Sequence, residues 1–367
     1  GVVLYTVSPH ISEVIVWEAA YHYLQGFILI LAILLLTHKF LHNPHKKYTL
    51  WAGVIFFLST YSLEIFYLTP LFVTTLALYY RYALSYDKKI FRQIISWFVV
   101  PQLIMFAMHT IILRSVYHGQ MAHLGQNMWQ PFTVYICKPA RYIFHILFLG
   151  RFFPLEARRA VYETVGSNAA LIIFYNIVVL ACTYIISRFL QMQPKGKAGV
   201  LLFAWVSISM GIILPLAFPD MMLMYYDRYT YFLDAFIFML LALLVSYLPG
   251  KSLKVVLFII YAGINIFFTT RLNLLWKHST YIDNRIMNDF KNPENKTVIL
   301  LNVPQCMNGL PMIGADPDGS FKMMYKLFVN NNINSKIYDA VGYNMTSDTD
   351  GAHVFVHNDS LITVTLN

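Results

Sequence analysis

Charge is what this sequence has least of. Asp, Glu, Lys and Arg supply only 12% of its 367 residues, about half the share found in a soluble globular domain. Hydrophobic residues make up 58% and the mean hydropathy is +0.55, which excludes an ordinary soluble domain and reads as a polytopic membrane protein. Cysteine is nearly as scarce. Cys137, Cys182 and Cys306 stand far apart, with Cys182 inside an apolar run, so neither a disulfide framework nor a zinc-binding spacing is present. The net charge of +9 is spread between apolar runs and forms no acidic or basic tail, which leaves a nucleic-acid partner without support. No signal peptide opens the chain; residues 1–7 (GVVLYTV) read instead as the tail of an apolar segment that starts upstream of Gly1.

Crossing a bilayer takes about 20 mostly apolar residues in helical form. Runs of this kind fall at roughly 20–37, 49–61, 66–83, 94–112, 168–187, 199–217, 230–248 and 255–269. The fold expected is therefore an all-α polytopic bundle of about eight complete transmembrane helices plus a truncated one. The second and last runs are short, so tilting or local bilayer thinning is expected there. Basic loops lie between the runs: Lys39, Lys46 and Lys47; Arg81, Lys88, Lys89 and Arg92; Arg188, Lys195 and Lys197; Lys251 and Lys254. They alternate with segments 8–19 and 61–66, which are poor in Lys and Arg. The positive-inside rule puts the basic loops in the cytoplasm, and Pro9, Glu64, Arg228 and everything after 270 outside.

Residues 132–150 are apolar enough to cross, but Lys138, Pro139 and Arg141 interrupt the first turns, and a crossing here would reverse every later loop. Segment 113–167 is accordingly read as external and non-spanning. Its six basic residues (Arg114, Lys138, Arg141, Arg151, Arg158 and Arg159) form either a solvated surface or a basic rim around an anionic lipid head.

After residue 270 the composition changes. Residues 271–291 read as an amphipathic helix, KTVILLNV at 296–303 as a strand, and 319–330 as a further helix. Alternation at 353–357 and 361–366 adds strands. The domain organisation expected is a membrane part over 1–270 and a small extracytoplasmic α+β domain over 271–367.

The stretch Tyr225-Tyr226-Asp227-Arg228-Tyr229-Thr230-Tyr231-Phe232 holds an Asp-Arg pair between two apolar runs. Charge beside hydrocarbon is costly unless it snorkels, pairs or meets a ligand. The planar guanidinium of Arg228 can engage two phosphate oxygens at once, which suits a lipid-linked phosphate. The alternative is an interfacial anchor of tyrosines around an arginine that reaches for headgroups.

Three segments resemble the polytopic O-mannosyltransferase-like proteins that bear tetratricopeptide repeats. In residues 4–17 (LYTVSPHISEVIVW), Pro9, Glu13 and Trp17 match, with Ser8 where that family has histidine. In 58–71 (LSTYSLEIFYLTPL), Ser62, Glu64 and Pro70 match, with Leu63 in place of lysine. Residues 227–233 are similar to its acidic-Arg-Tyr-x-Tyr-Leu segment, with Leu233-Asp234 where Leu-Pro is usual. No tetratricopeptide repeats follow residue 270. The resemblance implies a C-type glycosyltransferase fold of the bacterial inner membrane, which moves a sugar from a polyprenyl-phosphate donor to an extracytoplasmic protein or glycan. It also places the catalytic acid in a loop upstream of Gly1.

An inverting transfer needs a base for the acceptor hydroxyl and cations on the departing phosphate. Arg228 is the first candidate for the phosphate, with Tyr229, Arg141 and Arg151 beside it. Pro9, His10, Glu13 and Asp227 are the expected pocket residues. Glu13 and Glu64 are the carboxylates within the chain that could act on the acceptor, or else cap a helix or pair with an arginine. No metal set is apparent: His118 and His123 share a loop without nearby carboxylates. Two other functions stay open: a transporter or flippase of a lipid-linked or anionic substrate, and a non-catalytic membrane scaffold. A transporter would show charges on spanning helices or broken helices in two matching halves.

Overall fold

The computed structural model describes residues 1–16, 21–60, 64–116, 146, 169–217 and 231–289, together with seven strands after residue 296. The chain divides into two compact units. One comprises Gly1–Gly150, Ala160–Leu223 and Asp227–Ile266; the other comprises Arg151–Arg159, Met224–Tyr226 and Phe267–Asn367.

The first unit is helical. Helix α1 (Val2–Thr6) leads into a 3-10 turn (Pro9–Ile11), α2 (Ser12–Val16), α3 (Tyr21–His42) and α4 (Lys46–Thr60). A second 3-10 turn (Glu64–Leu68) precedes α5 (Thr69–Ala83). Next come α6 (Lys88–Ile94), a π-turn (Ile95–Val99), α7 (Val100–Val116), α8 (Ala169–Met192), α9 (Gly196–Ala217), α10 (Tyr231–Ser246) and α11 (Lys251–Asp289), whose residues from Phe267 on belong to the second unit. Their ends follow from local chemistry. Helix α3 stops at His42 because Asn43 precedes Pro44, and the residue before proline avoids the helical region. Pro70 stands in the first turn of α5, where its missing N–H is no loss. Asp87 caps α6, its carboxylate accepting from the Lys89 N–H at 3.0 Å. The π-turn has its cause in Pro101, whose ring would meet the carbonyl four residues back, that of Trp97, in a regular α-helix.

Three helices among the described residues are long and apolar enough to cross a membrane: Tyr21–His42, Lys88–Ile112 and Lys251–Asn284. That overturns the expected bundle of about eight complete spans. Runs 49–61 and 66–83 become α4 and α5, each 15 residues long. At 1.5 Å per residue such helices reach only about 22 Å, short of the roughly 30 Å hydrocarbon core. The Gly196–Ser209 part of α9 and α10 (Tyr231–Ser246) are shorter apolar stretches among the described residues. The last run departs in the other direction. No proline or glycine separates 255–269 from 271–289, and both belong to the single 39-residue α11; residues 290–291 of the expected amphipathic helix lie outside the described residues. The non-spanning reading of 113–167 falls almost wholly outside the described residues.

The core of this unit is aromatic. Phe72 stacks on Phe236 at 5.9 Å, and Trp205 meets Phe236 edge-on at 5.2 Å. Phe232 lies 5.5 Å from Phe72 and 5.3 Å from Phe236, so α5, α9 and α10 lock through one cluster. Rings at these separations each add about 0.5–1.5 kcal/mol beyond the area they bury.

In the second unit the strands are β1 (Thr297–Leu301), β2 (Cys306–Met307), β3 (Leu310–Pro311), β4 (Lys336–Asp339), β5 (Asn344–Met345), β6 (Ala352–Asn358) and β7 (Leu361–Leu366). Four form a sheet in the order β4-β1-β7-β6, in which β1 runs parallel to β4 and β7, while β6 and β7 are antiparallel. The others pair in the order β3-β2-β5, with Pro311 on an edge strand, where its lack of a donor is tolerated. The helix expected at 319–330 lies outside the described residues.

Candidate functional site

The three sequence segments singled out above meet around the first half of α3. Tyr5 of α1 packs edge-on against Phe27 at 6.3 Å. Phe27 in turn stands 5.8 Å from Tyr231 and 5.2 Å from Phe232, at the start of α10. Tyr23, one turn earlier, meets Tyr231 at 6.0 Å. The 58–71 segment arrives on the same helix through Phe66, fully buried against Gly26. A β-carbon at position 26 would lie 1.8 Å from the Phe66 ring, so glycine is what lets the 3-10 turn come this close. Stretches separated by tens to hundreds of residues in the chain therefore share the Tyr23–Phe27 surface.

Polar groups are buried at the same place. Ser8, His10, Ser12 and Asp234 are all inaccessible or nearly so. Ser8 caps the Pro9–Ile11 turn, its Oγ accepting from the His10 N–H at 3.3 Å, which fixes the histidine at the turn's centre. That turn and α1 both pack against α10. Asp234 occupies the first turn of α10, where the partial positive charge of the helix start favours a carboxylate. A buried carboxylate on an apolar helix is expensive, and such residues in membrane helices mark functional sites or structural pairs.

Of the expected pocket residues, Pro9 and His10 are thus placed in the buried turn. Glu13 lies within α2 and Glu64 opens the 3-10 turn before α5, with their side chains outside the described set. Arg141, Arg151, Asp227, Arg228 and Tyr229 fall outside the described residues. Asp234 went unnoticed as a pocket residue, although its signal was plain: it is the one acidic residue in the apolar run 230–248.

A second polar cluster, also unforeseen, lies where α3 and α5 end. The hydroxyl of Tyr80 bonds Nδ1 of His38, and that of Tyr86 lies 3.3 Å from Nδ1 of His42. Arg81 donates to the Tyr86 carbonyl at 2.9 Å, and the His38 and His42 rings meet at 4.6 Å. The signal available in sequence was the His-x-x-x-His spacing, which puts both rings on one face of α3. Among the described residues no group of three His, Cys, Asp or Glu side chains is placed to hold a metal ion.

The chain matches no family model, and no curated protein or solved structure matches it.

Proposed function

We propose that this protein is a membrane glycosyltransferase that moves a sugar from a polyprenyl-phosphate donor to an extracytoplasmic protein or glycan. The observation that supports this reading most is the convergence on Tyr23–Phe27 of the three segments that resemble the O-mannosyltransferase-like proteins. Helix α10 begins at this junction, directly after the Asp227–Tyr229 stretch in the chain. In this reading Arg228 binds the donor phosphate, helped by Tyr229 and Arg141, and Asp227 orients a neighbouring basic or tyrosine group. Pro9, His10 and Glu13 shape the pocket wall. The protein resides in a bacterial inner membrane with residues after 270 outside.

Titration of a polyprenyl-phosphate sugar against purified full-length protein tests the proposal. A charge-assisted bond contributes about 1.5–3 kcal/mol, so Arg228→Ala should weaken donor binding roughly ten- to a hundredfold. Arg228→Lys should restore part of it, since lysine keeps the charge and loses the fork. Equal affinity in all three proteins refutes the phosphate site and leaves the interfacial anchor.

A further inference from the structure

We infer that the groove between α4 and the helix Lys88–Ile112 is a binding site for an anionic glycerophospholipid. The groove has a volume of about 550 Å³ and is lined by Lys46, Lys47, Leu50, Val54, Trp97 and Pro101, together with Thr49, Gly53 and Met105. Apart from Thr49 and the two lysines the lining is apolar, which fits an acyl chain. Gly53 adds room: a β-carbon there would meet no atom within 4 Å. Thr49 makes no polar demand on a ligand, because its hydroxyl donates to the Lys46 carbonyl at 2.6 Å. Polar recognition therefore falls to Lys46 and Lys47 at one end, the Lys47 ammonium resting 5.3 Å from the Tyr48 ring centre, and their sign selects a phosphate-bearing, negatively charged head.

The wall opposite α4 is shaped by the proline. Pro101 forces the π-turn Ile95–Val99, and Trp97 within that turn lines the groove while remaining 45% exposed. The Lys46 ammonium stands 5.7 Å from the Trp97 ring centre, a cation–π distance that holds the charge at the groove's mouth. Wide turns of this kind recur at functional sites in helices. The occupant is a membrane lipid rather than a protein segment because α4 and the Lys88–Ile112 helix both present apolar side chains outward. Leu50, Trp51, Val54, Leu103 and Ile104 are all exposed. The inference does not rest on the proposed transfer activity, and failure of either leaves the other standing.

Bromolipid quenching reads the site directly. Full-length protein is reconstituted in phosphatidylcholine and titrated with phosphatidylglycerol or phosphatidylcholine brominated on the acyl chain. The Trp97 contribution is taken as the difference between wild type and Trp97→Phe. Trp51, exposed but not in the groove, serves as the internal control through Trp51→Phe. With about a fivefold gain per lysine near an anionic lipid, Trp97 should be quenched at roughly twenty- to thirtyfold lower phosphatidylglycerol than phosphatidylcholine. Trp51 should show no such preference. Lys46→Gln with Lys47→Gln should bring the Trp97 preference to within about twofold, and Gly53→Leu should lower quenching of Trp97 by both lipids. Raised salt applied to the wild type should also shrink the preference, an arm that needs no variant to fold. Equal quenching of Trp97 by the two lipids, or a preference that survives both salt and the double substitution, overturns the site.

Discussion

Phe27 is the hub on which the candidate site hangs, and its removal gives a quantitative test. Four rings surround it: Tyr5 at 6.3 Å, Tyr231 at 5.8 Å, Phe232 at 5.2 Å and Phe236 at 6.5 Å. Ring pairs at these distances contribute about 0.5–1.5 kcal/mol each, and truncation of a buried phenylalanine costs about 3–5 kcal/mol including the cavity. The two figures overlap rather than add, so Phe27→Ala should lose about 3–5 kcal/mol in SDS-titrated unfolding of the purified protein. Phe40→Ala is the matched control. Phe40 is also buried, yet its ring partner is Phe98 at 5.2 Å, away from α1 and α10. Both variants should fall in stability, but only Phe27→Ala should also weaken donor binding, by about tenfold or more when compared at equal folded fraction. Phe27→Leu, which keeps most of the volume, should lie within about 1.5 kcal/mol of the wild type. Two outcomes refute the reasoning. A loss below about 2 kcal/mol in Phe27→Ala removes the hub, and equal donor affinity in the two alanine variants separates the hub from the site.

Gly26→Ala should destabilise by about 1–3 kcal/mol, because the new β-carbon would stand 1.8 Å from the Phe66 ring, and Phe66→Leu should relieve part of that loss; additive effects of the two substitutions in the same unfolding assay would refute this contact. Cysteines introduced singly at Lys195 and Asn295 in a cysteine-free background should react oppositely with an impermeant maleimide. Position 295 should label in intact cells and position 195 only after permeabilisation, and the reverse pattern would invert the proposed orientation.

What sequence could convey here was helical location more than helical length. The aliphatic run of α3 was evident from composition. Its last turn, through His38, Phe40, Leu41 and His42, was not, because polar residues mask the burial of Phe40 and Leu41. Counting apolar windows gave α4 and α5 the status of spans, whereas α4 begins only at Lys46 and α5 ends at Ala83, each with 15 residues. Conversely, the change of composition after 270 was read as the start of a separate amphipathic helix, but residues 271–289 lie on one unbroken helix with the apolar part of α11. Pro9 and His10 could be nominated as a pair because a proline turn beside an apolar helix is a local signal. The junction they belong to could not be nominated, since Gly26, Phe66 and Tyr231 come together only through packing between distant segments. Asp234 sat between the two cases: visible as a lone carboxylate in an apolar run, yet assigned a role only once its burial was known.

The order β4-β1-β7-β6 carries a consequence for biogenesis. Strand β7 comes after the other three in the chain, yet it occupies an inner position and is the only link between β1 and β6. During synthesis β1 and β4 can pair early, and β6 then waits with both edges open until residues 361–366 have emerged. Closing that gap joins segments about sixty residues apart, from Thr297 to Leu361, in parallel register, the kind of distant pairing that forms slowly and leaves strand edges exposed meanwhile. The hairpin of β6 and β7 is local and quick by comparison, so the sheet assembles from two halves that meet last at its middle seam.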